Sequence, residues 1–293
     1  MFTYPVGTLN PGISVDTDFK FTINTSLGTG DTFTWPTVNG QTYDFYWLPG
    51  DGSDERHVTA YDDADITHTY SSAFNGQISA YGKIGGWSFN NGGDKLKITS
   101  VDNWGDVGFD YLTSAFRGST NLGSVANMTG TTTSVTNLLL TFATCPNLII
   151  SSKLFGDMAN VLSLQYCFLN SGITVAPNLD NLTLLNSMYG AFHTTQISIP
   201  ENYLVNQSNV TNYRETFYNL PSQVLPSVIF DLSNLSIVSS FDNFMNAVGA
   251  GNSSTGIVQD VWNYATSATS ANTFLNQTSL TNYASIPNGW KGL

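Results

Sequence analysis

The chain has 293 residues, of which 41% are hydrophobic, 13% aromatic and only 10% charged, and its formal net charge is −12. Soluble proteins usually have about 25% charged residues, so neutral polar residues must supply most of this surface. The nine lysine and arginine residues provide no basic face for nucleic acid or an anionic membrane, and we expect neither as a partner.

The amino-terminal segment, residues 1–18, has no basic region followed by a continuous apolar region, which is the pattern of a secretory signal. We interpret this segment as an arm that could attach the protein to a larger particle. No window of the chain approaches the ~18 consecutive apolar residues of a transmembrane helix, so we expect no membrane insertion.

Residues 19–104 have the pattern of β-structure. Five stretches alternate or run apolar at strand length, and turn sequences such as NG and NNGG separate them. These stretches are residues 19–25, 32–38, 42–48, 76–84 and 95–101. Short strands with such turns predict an antiparallel β-sandwich.

Two motifs in this part of the chain resemble those of a known module. YDFYWLPGDGSDE (residues 43–55) and DITHTYSSAFNGQISAYG (residues 65–82) are similar to the Gly-Asp-Gly-Ser turn and the Thr-His-Thr-Tyr strand entry of PKD-like β-sandwiches. Leu48 and Pro49 replace the residues that usually precede that turn. The resemblance implies a PKD-like sandwich over residues 19–104.

From residue 105 the sequence repeats every 24–30 residues, and each repeat contains a phenylalanine that we use as its anchor. Apolar residues seven and four positions before the anchor, such as Val161 and Leu164 before Phe168, would share one face of a helix. A Leu, Ile or Val about five to seven residues after the anchor usually opens an extended run. We therefore predict stacked units of a short helix and a short strand, with a buried column of anchors. The anchors are Phe116, Phe142, Phe168, Phe192, Phe217, Phe244 and Phe274.

The repeat phrase itself is similar to a known family. VTNLLLTFATCPNL (residues 135–148) resembles the BspA-like leucine-rich repeats of bacterial surface proteins, and residues 89–106 resemble the segment that introduces those repeats after a PKD-like module. The resemblance implies a right-handed solenoid over residues 105–293 that is used for adhesion or recognition. The predicted fold class is therefore α+β, with an N-terminal antiparallel β-sandwich followed by a right-handed leucine-rich-repeat-like solenoid of about seven short helix-plus-strand units.

The sequence contains no pattern typical of an enzyme. None of its three histidines, His57, His68 and His193, belongs to a recognisable catalytic motif, and no Gly-x-Ser-x-Gly elbow is present. The acids of the repeats are dispersed, whereas a glycosidase needs two facing carboxylates. We expect no catalysis and no cofactor. Cys145 and Cys167 have no metal-binding spacing and are interpreted as buried apolar residues.

One acidic loop of the predicted sandwich is a candidate for metal binding. Asp51, Asp54, Asp62 and Asp63 lie close together in the sequence, and calcium takes about six to eight oxygen ligands. The loop has no EF-hand spacing, and aspartate is an ordinary turn residue. We therefore favour a plain acidic loop over a calcium site.

Aromatic residues among neutral polar ones could stack on sugars or peptides at the repeat surface. Tyr213 falls at a core position of the repeat, and Tyr166 and Tyr189 fall within the predicted helices. Tyr218 and Trp262 remain as candidates for ligand contact.

Three functions fit these observations. The first is a bacteriophage virion decoration or fibre protein that binds a glycan or protein of the host cell and contacts other virion proteins through the arm or the sandwich. The second is a bacterial cell-surface or secreted BspA-like adhesin, and the third is a structural spike with no ligand. The missing signal pattern favours the first, and the repeat resemblance favours the second. A symmetric homo-oligomer would suit a virion, but the sequence has no coiled-coil stalk.

Overall fold

The computed structural model describes residues 17–130, 134–221, 223–247 and 253–293. The predicted arm lies outside these residues, apart from Thr17 and Asp18. Eight strands are present in the described ranges: β1 (Phe19–Asn24), β2 (Thr32–Thr34), β3 (Tyr43–Leu48), β4 (Arg56–Val58), β5 (Thr67–Thr69), β6 (Asn75–Ile84), β7 (Ile98–Asn103) and β8 (Ser124–Val125).

The strands form one large sheet and one small sheet. The large sheet has the order β4-β3-β6-β1-β7-β8, and β2 pairs with β5 in the two-stranded sheet. All neighbours are antiparallel except β7 and β8, which are parallel. Five of the strands fall within or over the predicted stretches, β5 coincides with the Thr-His-Thr-Tyr strand entry that the PKD-like resemblance implied, and the short strand β4 was not predicted.

The expected antiparallel sandwich is corrected to a mixed sheet. Strand β8 belongs to the first repeat, yet it extends the large sheet by pairing in parallel with β7. Ser124 of β8 then bridges Ile149 of the next repeat in the same direction. The large sheet therefore continues into the repeats, because the extended run of each repeat pairs in parallel with that of the repeat before it.

A dense aromatic cluster fills the core of the sheet region. Alternation along β1 buries Phe19, Phe21 and Ile23. The ring centre of Trp35 lies 5.3 Å from that of Phe21 and 5.2 Å from that of Trp87. Rings packed at these distances add to the stability that burial of their area supplies.

The prediction of seven helix-plus-strand units, and with it the α+β class, is wrong. The α-helix of the described residues, α1 (Asn288–Lys291), has four residues, and the other helical pieces are short 3₁₀ segments. The repeats consist of turns joined by isolated parallel bridges. The 3₁₀ segments are Thr25–Leu27, Ala64–Ile66, Leu232–Ile237, Val261–Asn263 and Tyr283–Ser285. No helix within the described ranges is long and apolar enough to cross a membrane.

Left-handed backbone explains why the repeats are not helical. In six of the seven units the residue two positions before the anchor has φ between 51° and 59°, and in the unit of Phe244 the residue with this φ, Asn243, directly precedes the anchor. A second left-handed residue follows two positions after most anchors. A right-handed helix requires negative φ, so it is interrupted on both sides of the anchor. The residues at the first position are Ser114, Leu140, Tyr166, Gly190, Glu215, Asn243 and Asn272.

The units stack through a ladder of hydrogen bonds and a column of rings. The N–H of Phe142 donates to the carbonyl of Cys167, and that of Phe168 donates to the carbonyl of Ala191, at 2.8 and 3.0 Å. The ring centres of Phe142 and Phe168 are 5.6 Å apart, with their planes within 11°. All seven anchors are buried. Each unit therefore buries its apolar residues only against its neighbours, which is the physical basis of stacked repeats.

The hydrogen bonds place Met245, rather than Phe244, in this column. Phe217 donates its N–H to the carbonyl of Phe244, and Met245 donates to the carbonyl of Thr273. Each anchor bonds the residue just before the next anchor, so Met245 is the equivalent of Phe217. The ring of Phe244 instead meets Phe217 edge-on, with its plane at 65°.

Both ends of the column are closed by tryptophan. The ring of Phe116 contacts Trp87 and Trp104 of the sheet region at 6.0 and 6.1 Å. At the other end, Trp290 of α1 stacks on Phe274 at 6.3 Å. Closed ends keep the apolar column away from water.

Candidate recognition face

Three consecutive units carry aromatic and charged side chains at surface positions next to their anchors. These positions lie three and two residues before the anchor and one residue after it. In the units of Phe168, Phe192 and Phe217 they include six side chains that we define as the aromatic face: Tyr166, Tyr189, His193, Arg214, Glu215 and Tyr218. The preceding unit has Leu139, Leu140 and Ala143 there, and the following unit has Asp242, Asn243 and Asn246. The fold therefore does not require aromatic residues at these positions.

Tyr166 and Glu215 meet across the middle unit. Both hold the left-handed position, with φ of 51° and 55°, and Gly190 holds it between them. The Tyr166 hydroxyl donates a hydrogen bond of 3.0 Å to Oε2 of Glu215. A Cβ atom on Gly190 would lie 2.2 Å from Cε1 of Tyr166, so the glycine is needed for the tyrosine to reach across.

Arg214 connects the carboxylate to a second tyrosine. Its Nε lies 3.3 Å from Oε1 of Glu215, and its guanidinium carbon lies 5.3 Å from the ring centre of Tyr189. The ring of Tyr189 is 4.7 Å from that of Tyr166. An arginine over an aromatic ring is attracted to the ring electrons. The ring of Tyr189 and the carboxylate of Glu215 therefore both hold the guanidinium of Arg214.

His193 and Tyr218 form the other edge of the aromatic face. Their ring centres are 4.5 Å apart with planes within 19°, and His193 approaches Tyr166 at 6.3 Å. Nδ1 of His193 lies 2.8 Å from the hydroxyl oxygen of Thr194. Ring packing and one polar contact thus fix the orientation of the imidazole.

Burial changes the pKa of two rings of the aromatic face. Burial raises the pKa of Tyr166 far above its usual value, and its hydrogen bonds to Tyr189 and Glu215 act in the same direction. Burial lowers the pKa of His193, although Glu215 partly opposes that effect. At neutral pH both rings are therefore uncharged. A neutral imidazole and a protonated phenol can both stack and hydrogen-bond.

Of the two predicted contact residues, the structure brings one into the aromatic face. Tyr218 is half-buried within it, whereas the half-buried ring of Trp262 pairs with Trp290 at 6.5 Å, near the end of the column. No ring contact among the described residues joins Tyr218 to Trp262. Tyr213 is buried against Phe230 and Phe241.

The candidate calcium ligands make hydrogen bonds in their own turns. Asp51 accepts from the N–H of Ser53 and lies 2.9 Å from Nε2 of His68. Asp63 accepts from the N–H groups of Thr59 and Asp65. Over the described residues, no group of three or more His, Cys, Asp or Glu side chains is arranged to hold a metal ion. Asp54 and Asp62 are exposed.

The remaining histidines and the cysteines have structural surroundings. His57 stacks on Tyr46 at 4.1 Å and bonds Asp44 at 2.8 Å. Nδ1 of His68 faces Arg56, which can only donate, so this ring carries its proton on Nε2 towards Asp51. Both cysteines are free and buried, and burial raises the pKa of Cys145 to about 12.

Sequence reasoning missed Arg214 and Glu215, and it assigned Tyr166 and Tyr189 to helix interiors. The useful signal was the residue two positions before each anchor, where Gly190, Asn243 and Asn272 are the types that tolerate positive φ. Tyrosine and glutamate at that position indicate that something other than backbone preference selects them. The chain matches no known protein-family model, and no curated protein has a significant match to it.

Proposed function

We propose that this protein is a non-catalytic surface recognition or adhesion protein that binds a glycan or protein of a host cell through the aromatic face. One observation carries the proposal: aromatic side chains occupy these positions in three consecutive units, whereas the preceding unit has Leu139, Leu140 and Ala143 there and the following unit has Asp242, Asn243 and Asn246. The buried column continues through all these units, so fold stability does not explain the difference. Half-buried tyrosines with fixed polar neighbours are typical of binding surfaces.

For its location we propose the surface of a bacteriophage virion, with a bacterial cell-surface or secreted adhesin as the alternative. The low proportion of charged residues and the polar neutral surface suit a protein exposed outside cells. The similarity of the repeat phrase to BspA-like surface proteins favours the adhesin. In the virion case, other virion proteins are the partners we expect for the arm or the sheet region.

Immunogold electron microscopy tests the location, with antibody against the purified chain applied to cells and to gradient-purified phage particles from the same source. Label on particles supports a virion protein, and label confined to cell envelopes supports an adhesin. Label on neither would contradict both locations.

Binding of the purified, fluorescently labelled protein to host cells tests recognition itself. We expect saturable binding that Tyr218→Ala weakens, whereas Leu275→Ala, at the equivalent position of the last unit, leaves binding unchanged. Equal binding by all three proteins would mean that the face is not the recognition surface. Absence of saturable binding by the wild-type protein would instead support a structural spike.

A further inference from the structure

The ring of Tyr166 packs on the backbone of the middle unit, with the ring of Tyr189 4.7 Å away, and it remains partly exposed. Gly190 is buried, Tyr166 is half-buried, and a Cβ on Gly190 would fall 2.2 and 2.3 Å from Cε1 and Cδ1 of the ring. One side of the ring therefore lies on the backbone of the middle unit, and the ring keeps a surface towards solvent. A fixed aromatic surface of this kind can receive the apolar C–H side of a sugar ring.

Hydrogen-bonding groups are available at the end of this ring. The carboxylate of Glu215 accepts from Tyr166 and Arg214, but a carboxylate has about four lone-pair sites. The guanidinium of Arg214 has about five N–H donors, and its side chain is 44% exposed. A ligand on Tyr166 would thus find both acceptors and donors beside it.

Tyr166 and Glu215 share a left-handed backbone position with the equivalent residues of the other units. Both have left-handed φ, which is unfavourable for side chains other than glycine and asparagine. The equivalent residues of two later units, Asn243 and Asn272, avoid most of that strain. Ser114 and Leu140 have the same left-handed φ in the first two units, so it is the aromatic and charged side chains at this position, not the strain, that distinguish the aromatic face.

We infer that the aromatic face binds a neutral sugar ring, which stacks on Tyr166 and directs its hydroxyl groups to Glu215 and Arg214. This inference rests on the proposed recognition function and specifies its ligand. The charges of Arg214 and Glu215 pair with each other, Asp242 lies in the next unit, and the net charge is −12. An acidic sugar would therefore meet repulsion without an unpaired cation. A protein partner needs an interface of roughly 800 Å² with about 20–30 residues on each side, of which the six side chains of the aromatic face would supply only a part, whereas they match the size of one or two sugar rings.

Saturation-transfer-difference NMR on the full chain tests the inference. The probes are methyl α-glucopyranoside, methyl β-galactopyranoside and N-acetylglucosamine as neutral sugars, and glucuronic acid as the acidic comparison. The variants are Tyr166→Ala and Glu215→Gln. Leu140→Ala is the matched control, because Leu140 holds the same left-handed position one unit before Tyr166.

We expect transfer from aromatic protein protons to the ring protons of at least one neutral sugar, and weaker transfer to glucuronic acid. Tyr166→Ala should weaken binding by about tenfold or more, as the loss of one stacking contact would, and Glu215→Gln should weaken binding less. Leu140→Ala should bind like the wild-type protein. If Tyr166→Ala fails to fold, Glu215→Gln tests the hydrogen-bonding groups with the ring in place, and Tyr166→Phe should keep most of the binding because it keeps the stacking surface; loss of binding in Tyr166→Phe as large as that expected for Tyr166→Ala would contradict stacking.

Two results distinguish failure of the sugar inference from failure of the proposed function, and the first of them overturns the sugar inference. If no neutral sugar binds, or if glucuronic acid binds better, while Tyr166→Ala still abolishes attachment to host cells, the face recognises something other than a neutral sugar. If a neutral sugar binds at Tyr166 but attachment to cells is unchanged in Tyr166→Ala, the site exists and the recognition function fails.

Discussion

Tyr166 and Glu215 occupy the same position of two units that are not neighbours, and a 3.0 Å hydrogen bond joins their side chains over Gly190. In a stack of repeats, side chains usually contact the adjacent unit only. This bond skips a unit and holds three units together at the surface. The bond therefore depends on Gly190, because a side chain at that position would collide with the ring of Tyr166.

We expect Tyr166→Phe to destabilise the protein by about 1–2 kcal/mol, because it removes a hydrogen bond to a charged group. The free energy of unfolding, measured in urea, tests this expectation. Tyr218→Phe is the control, since it removes a hydroxyl from the same face and keeps the bond to Glu215. Equal losses in the two variants would contradict a specific role for the bond.

Phe168→Ala should destabilise the protein by about 3–5 kcal/mol, because the ring is fully buried between Phe142 and Phe192 and a cavity would remain. Leu162→Ala, at a side chain that is 40% exposed, should cost much less. Chemical denaturation of both variants provides the comparison. Similar costs would show that Phe168 does not belong to a packed column.

Thr144→Asn should stabilise the protein by about 1 kcal/mol. Thr144 is exposed and has φ of 60°, which is strained for a β-branched residue. Asn170, Asn219 and Asn276 hold the equivalent position in other units. Thermal and urea unfolding measure the gain. Thr174→Asn, an exposed position without positive φ, should give no gain, and an equal gain there would rule out relief of strain.

Loss of stability in acid should depend on Asp51. Burial alone would raise the pKa of Asp51, but hydrogen bonds from Ser53 and His68 outweigh it and lower the pKa from 3.8 to about 2. A carboxyl group whose pKa is lower in the folded state than in the unfolded state stabilises the protein at pH values above its unfolded-state pKa. That contribution is lost as the pH falls through the folded-state pKa.

The difference in unfolding free energy between the wild-type protein and Asp51→Asn should therefore be largest above about pH 5 and shrink towards pH 2. Denaturant unfolding at a series of pH values measures this difference. Asp54→Asn, at an exposed carboxylate of the same loop, should show little dependence on pH. A difference that stays constant for Asp51→Asn would mean that its pKa is not lowered in the folded state.

The strands and the buried column could be predicted from the sequence because both depend on apolar spacing. Alternation identified β1, β3 and β6, and the interval between phenylalanines identified the anchors up to Phe217. The unit after Phe217 was misaligned because Phe244 and Met245 are adjacent, and sequence similarity favours the phenylalanine. Only the hydrogen bond from Phe217 to Phe244 distinguishes them.

The backbone of the units could not be predicted from the same spacing. Apolar residues three and four positions apart fit a helix, but they also fit a series of turns whose apolar side chains all point into the core. Tyr166 and Glu215 are poor candidates for left-handed φ, so a break in a helix is not expected at these positions from residue type. The aromatic face was missed for the same reason, because a helix would have directed Tyr166 elsewhere.

The stacking of the units also sets distances along the column. Each unit advances the column by a fixed step, 5.6 Å between the rings of Phe116 and Phe142 and 5.6 Å again to Phe168. The distance from the sheet to the aromatic face is thus counted in whole units. Deletion of the unit of Phe142 would draw the face one step closer to the sheet, and duplication would move it one step outward, in each case without altering the face itself.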